Sequence, residues 1–202
     1  MAEREEATLP TGIALRDARE LLFDAADRVL LRDGPNALTS RAVTTEAGVA
    51  KGVLHRHFDD FDAFLLELVL DRAARVSGQS AALHDAAGTG TVAGNLTDAL
   101  TELFESVAVA IVALLIFRDD LRARLREARP TGVPVLSEAS AMIAAYLTAE
   151  RALGRIAADA DIDALAPTLI GAVHLRFADR QAAPVAARAV HRVVMTVLRG
   201  VA

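Results

Sequence analysis

The sequence predicts an all-α protein, with a three-helix head at the N-terminus and a larger helical domain behind it. Three observations predict this. The chain is 53 % hydrophobic with only 4 % aromatics and 6 prolines, and Ala, Leu and Val supply most of the apolar share; that composition favours helices over strands. Apolar residues recur at three- and four-residue steps along most of its length. Clusters of glycine and proline punctuate those steps, as at Asp33-Gly34-Pro35 and between Pro130 and Pro134. With 202 residues the chain can hold one large domain or two small ones. The expected division is an arm over 1–13, a head over 14–60 and a helical domain over 61–202.

The acid-rich arm carries no apolar run and reads as a solvated tail rather than a signal peptide. A first helix is predicted over 14–32, where Ala18, Leu22, Ala25 and Val29 share a face, and Gly34 and Pro35 end it. Residues 39–64 then read TSRAVTTEAGVAKGVLHRHFDDFDAF. Thr39 is a suitable N-cap. Ala42, Val43 and Ala47 form a small apolar face, and Gly48 is placed to end the helix in the left-handed region. Val53, Leu54 and Phe58 give a second short helix its buried side, leaving Lys51, Gly52, His55 and Arg56 outward. Two short helices around a glycine turn, the second presenting small and basic residues, form the layout of a helix-turn-helix that reads the DNA major groove.

This stretch resembles the DNA-binding segment of the TetR family of bacterial transcriptional regulators. The matching residues are Gly34, Thr39, Val43-Thr44, Ala47-Gly48-Val49-Ala50, Gly52, Leu54-His55, His57-Phe58 and Phe61. Three of them depart from the family's pattern: Ala50 stands for Ser or Thr, His55 for Tyr, and Phe61 for Lys. The resemblance implies contacts to DNA from Arg16, Thr39, Arg41, Ala50, Lys51, Gly52, His55, Arg56 and His57. Thr39 and Arg41 would meet phosphate, and Lys51, Gly52, His55 and Arg56 the groove. Arg16 reads equally as an ordinary surface arginine. Ala50 cannot cap the second helix, a loss of about 1 kcal/mol. Phe61 removes a phosphate cation, which lowers the expected salt slope by about one charge.

Charge pulls both ways. The chain carries a net −5, and its first 60 residues are themselves acidic. Between Thr39 and Phe58, however, Arg41, Lys51 and Arg56 face Glu46 alone, which makes a local basic face.

Beyond the head, Asp60 is placed to cap a helix running to about Leu83, and 86–94 reads as a glycine-rich loop. One long helix is predicted over 95–117, almost wholly apolar from Val107 onward. That apolar run is too short to span a bilayer, which needs roughly 20 residues, so no membrane association is expected. A short polar helix over 118–129 carries Arg118, Arg122, Arg126 and Arg129. With Asp119, Asp120 and Glu127 interleaved, a solvated face is the plainer reading. Helices follow over 137–153, 163–179 and 184–199. The last two could complete the core or pair with a second copy; the resemblance implies that they form a homodimer interface.

No catalytic constellation is present, so no enzyme is expected. His55 and His57 are two apart and point in different directions on a helix. There is no cysteine, hence no thiolate nucleophile and no cysteine-based metal site. The glycines near 90 lack the strand and the Lys-Ser/Thr ending of a phosphate loop. No metal or cofactor is expected. What remains is a cavity in the helical domain for an unidentified small-molecule effector. Candidate lining residues are Phe104, Val107, Ile111, Leu115, Phe117, Leu125, Met142, Tyr146, His174 and Phe177, each of which reads also as core. Tyr146 and His174 stand out because buried polar tips need partners. The expectation is thus a cytoplasmic, homodimeric, ligand-responsive repressor that binds operator DNA. The alternative is a dimeric small-molecule- or partner-binding protein on the same scaffold, with weak or lost DNA binding.

Overall fold

The head's helices are set off by local signals, with Gly34 and Gly48 in the left-handed region and Thr39 as an N-cap. The computed structural model describes residues 13–129, 132–178 and 187–201, with side chains from Ala18 onward. The arm expected over 1–13 falls almost wholly outside the described residues. Helix α1 spans Ile13–Asp33. It stops where Gly34, at φ 85°, turns its N–H back to the Leu30 carbonyl at 3.1 Å. A single 3-10 turn, Pro35–Ala37, leads to α2, Ser40–Glu46, and α3 follows at Gly52–His57. Leu22, Phe23, Ala26, Val29, Leu30, Leu38, Val43, Leu54 and Phe58 are buried. Each Leu or Phe taken out of water stabilises the head by about 1.5–3 kcal/mol.

The chain divides into two compact units between Leu65 and Leu66. Helix α4, Phe61–Asp85, crosses that division. Asp60 opens it, its carboxylate accepting from the Ala63 N–H at 2.6 Å.

The second unit contains α5 (Val92–Glu105), α6 (Ala108–Phe117), α7 (Asp119–Ala128), α8 (Leu136–Ala152), α9 (Ile162–Phe177) and α10 (Ala187–Val197). Helix α5 is its centre, packed on α6, α8, α9 and α10, while α9 also lies against α8 and α10. Leu96, Leu100, Ile111, Leu114, Ala139, Ile143, Leu147, Leu169, Val173, Val190 and Val194 fill the interior.

Two expectations change. The loop expected over 86–94 is shorter, because Thr91 caps α5 by accepting from the Gly94 N–H at 3.0 Å. The single helix expected over 95–117 is two, α5 and α6, with axes 53° apart. Ser106 makes the break. Its backbone is extended, and its hydroxyl donates to the Leu103 carbonyl and accepts from the Ala108 N–H at 3.2 Å. A serine side chain competing for backbone partners gives the chain an alternative to helix. The last two helices lie close to their expected places, and the connection between them falls outside the described residues.

Candidate nucleic-acid interface and effector sites

The turn between α2 and α3 is built by backbone. Thr39 accepts from the Ala42 N–H at 3.1 Å and so caps α2. Gly48 sits at φ 68°, where a side chain would strain the chain. Its N–H reaches the Thr45 carbonyl at 3.1 Å, and the next N–H, of Val49, reaches Thr44 at 3.0 Å. Helix α3 starts on Lys51 without a side-chain cap, as expected of a segment with alanine at position 50. Leu54 and Phe58 are buried beneath it. Ala50, Lys51, Gly52, His55 and Arg56 are exposed on its outer side, His57 is half-buried, and Thr39 and Arg41 are exposed at the start of α2. Arg16 lies on α1, but its side chain is outside the described ones.

Aromatic rings and one arginine hold α3 in place. Phe23, Phe58 and Phe64 meet at centroid distances of 5.0 to 5.8 Å. Phe61 stacks on Phe64 at 5.5 Å, so the position where the family carries a cation lies half-buried against the head's apolar core. Arg19 lies over the Phe58 ring at 4.5 Å and donates to the His57 carbonyl at 3.2 Å. It thus closes the negative end of the short helix with a positive charge. Sequence reasoning did not foresee this role for Arg19; a cation one helical turn before Phe23 was the available signal.

Local electrostatics favour the basic face. Glu46, the sole acid between Thr39 and Phe58, binds Arg28 and Arg32 of α1, each at 2.8 Å. Hydrogen bonds from Arg28 and then Arg32 hold its carboxyl below the usual carboxylate range. Arg32 is held above its ordinary value chiefly by its hydrogen bonds to Asp33 and Glu46. The one negative charge within that stretch is therefore already answered.

The expected effector residues do not gather in one cavity. Phe104, His174 and Phe177 form one cluster, with Phe104 at 5.9 Å from the His174 ring and 5.7 Å from Phe177. Burial holds the His174 imidazole below its ordinary range. Met142 faces a different cleft of about 280 Å³, beside Leu83, Asn95, Asp98 and Glu102. Leu115 and Leu125 line a third recess, at α6 and α7. Val107 and Ile111 are core residues, and Phe117 is 68 % exposed at the end of α6.

Tyr146 is buried, and its hydroxyl is fully engaged. It donates to Glu150 Oε1 at 2.6 Å and accepts from Asn95 Nδ2 at 2.9 Å. Glu150, itself fully buried, pairs with Arg155 at 3.3 Å. Asn95 also donates to the carbonyls of Ala86 and Thr89, and Arg155 to that of Gly90 at 2.8 Å. Desolvation, reinforced by Glu150, pushes the phenol well above its ordinary range. Tyr146 therefore pins the 86–91 loop to α8, and no hydrogen bond of its hydroxyl is left for a ligand. A Glu four residues after a Tyr on one helix was the legible part of this knot. Asn95 was not legible, since it comes from a distant segment.

Residues 22–68 match the family model of bacterial regulatory proteins, tetR family. The head is a TetR-type helix-turn-helix. The fold of the whole chain agrees. The fatty acid degradation regulator FadR of Bacillus halodurans is similar at a TM-score of 0.68 and 17 % identity, over 91 % of this chain and 95 % of that one. FadR of Bacillus subtilis, solved in complex with stearoyl-CoA, gives 0.67 and 16 %, over 91 % and 99 %. Reduced NemR of Escherichia coli gives 0.70 and 15 %, over 92 % and 98 %. At these identities the likeness shows a shared TetR-regulator fold. Nothing among curated proteins matches the chain.

Proposed function

We propose that this chain is a cytoplasmic, homodimeric repressor that binds operator DNA and is released from it by a small, largely apolar molecule. The observation that carries the reading is the outer face of α3. Lys51, Gly52, His55 and Arg56 are exposed there while Leu54 and Phe58 are buried and Arg19 fixes the helix end. Lys51 and Arg56 donate to guanine edges or phosphates; Thr39, Arg41 and Arg16 meet phosphate; Ala50, His55 and His57 border the contact. Pairing through α9 and α10 is supported by Leu175 and Met195, 75 % and 51 % exposed on those helices. A dimer carries two heads to half-sites about 34–36 Å apart. FadR's stearoyl-CoA complex is one instance of this fold holding a ligand with a long acyl chain. In this chain the effector belongs to the second unit. A ligand releases DNA only by its difference in affinity between two forms.

The test is a gel shift on duplexes from the region upstream of the chain's own gene. Replacing Lys51 or Arg56 with Ala is expected to weaken binding by about 1–3 kcal/mol each where they contact bases. Full affinity in the double variant would overturn the assignment. One observation favours a second reading: α3 has six residues and no side-chain cap. Absence of any salt-sensitive DNA binding by the unaltered chain would support a dimeric small-molecule- or partner-binding protein instead.

A further inference from the structure

We propose that the recess between α6, α7 and the start of α8 binds a small aromatic carboxylate. Its floor is apolar: Leu115 and Leu125 are buried there, and Val133 closes one side. Its rim is cationic, carrying Arg122, Arg126 and Arg129. Arg122 and Arg126 stand one turn apart on α7 and so share a face, while Arg129 follows the helix in extended backbone. Like charges four residues apart on a helix disfavour one another.

The two carboxylates paired to the rim leave one of its cations over. Arg129 pairs with the buried carboxylate of Glu138. Arg122 pairs with Asp119, which is 86 % exposed, and donates to the Ile116 carbonyl at 3.4 Å. Arg126 lines the recess with no partner among the described residues. A single negative charge on the ligand balances the rim. A planar carboxylate suits the guanidinium fork, which can donate two parallel hydrogen bonds to it. The recess measures about 150 Å³, the scale of a cavity that holds one benzene ring. A ring of that size on the apolar floor, with its carboxylate toward Arg126, uses both halves of the site. Inorganic phosphate would use only the rim, and a long acyl chain exceeds the floor.

The proposal names the chemical class of the effector and rests on the ligand-responsive reading for any effect at DNA. Binding itself is measured without DNA, so the two can fail separately. Sodium benzoate is titrated into the full-length chain by calorimetry at low salt. Saturable binding of one benzoate per chain is expected, with affinity roughly tenfold lower in Arg126→Ala, given the usual strength of a hydrogen bond to a charged group. Arg126→Lys recovers part of that loss, and Arg188→Ala on α10 leaves the affinity unchanged. Benzamide, which keeps the ring and loses the charge, binds at least tenfold more weakly than benzoate. Absence of saturable binding at millimolar benzoate, unchanged affinity in Arg126→Ala, or equal affinity for benzamide would each overturn the proposal. If benzoate binds as described yet leaves DNA affinity unaltered, the site stands and its link to operator release falls.

Discussion

The head and the second unit bury their polar groups in opposite ways. The head keeps its ion pairs outside: Arg28, Arg32 and Glu46 meet at its surface, with Arg28 and Arg32 about half exposed. Its interior is aliphatic and aromatic apart from Thr44, whose hydroxyl donates to the Ser40 carbonyl at 2.9 Å. The second unit draws Tyr146 and Glu150 fully inside and satisfies them with Asn95, Arg155 and the N–H of Gly88, 3.4 Å from Glu150 Oε1. A surface pair gains little because water and salt compete for both charges. A buried one is costly to break, since the orphaned partner has no water to turn to. The head's surface network is therefore dispensable, while the second unit depends on a few polar atoms.

The largest effect should come from Glu150→Ala, which leaves the Tyr146 hydroxyl and Arg155 without their shared partner. A loss of about 3–5 kcal/mol is expected, read as a lower urea midpoint; a change of only a few tenths would erase the contrast between the units. Thr39→Ala should cost the head about 1 kcal/mol by removing the cap on α2, visible as a fall in melting temperature.

His174 should add a pH dependence. Its folded form resists protonation because it is half-buried, so the unfolded chain binds the proton more readily. Its contribution is intact above its ordinary value near 6.5 and is lost progressively as pH falls below that value. Unfolding measured from neutral to mildly acidic pH should show this slope, and His174→Phe should flatten it. The smallest effect should come from Glu46→Gln, whose influence on stability should vanish in high salt. Glu46 is also held below the usual carboxylate range, so whatever it contributes disappears only as pH falls through the acid range.

How far the sequence foretold these features follows the same contrast. In the head, Thr39, Gly48, Leu54, Phe58 and Asp60 act within a few residues of themselves as caps, turns and one-sided faces, and each was legible from local spacing. Phe61 was weighed at DNA as a missing cation, while its stack on Phe64, three residues further along α4, follows from helical spacing. In the second unit the helices were legible from periodicity. The break at Ser106 was not, since an apolar run continues on both sides and only the serine's choice of backbone partners ends the helix. The Tyr146 knot joins residues up to 66 positions apart, as Arg155 and Thr89 are, and no local pattern records such a pairing.

Val135, just ahead of α8, adds a last consequence. It is buried and held at φ 73°, ψ −51°, a region that a β-branched residue avoids at a cost of about 1–3 kcal/mol. The Glu138 carboxylate accepts from its N–H at 2.7 Å and keeps it there. A short peptide copied from this junction would relax to ordinary backbone angles, since one local hydrogen bond exposed to water does not hold a strained turn without the packing around it. Its handedness is imposed by the packed helices around it, so this is a place where the tertiary structure dictates the local conformation.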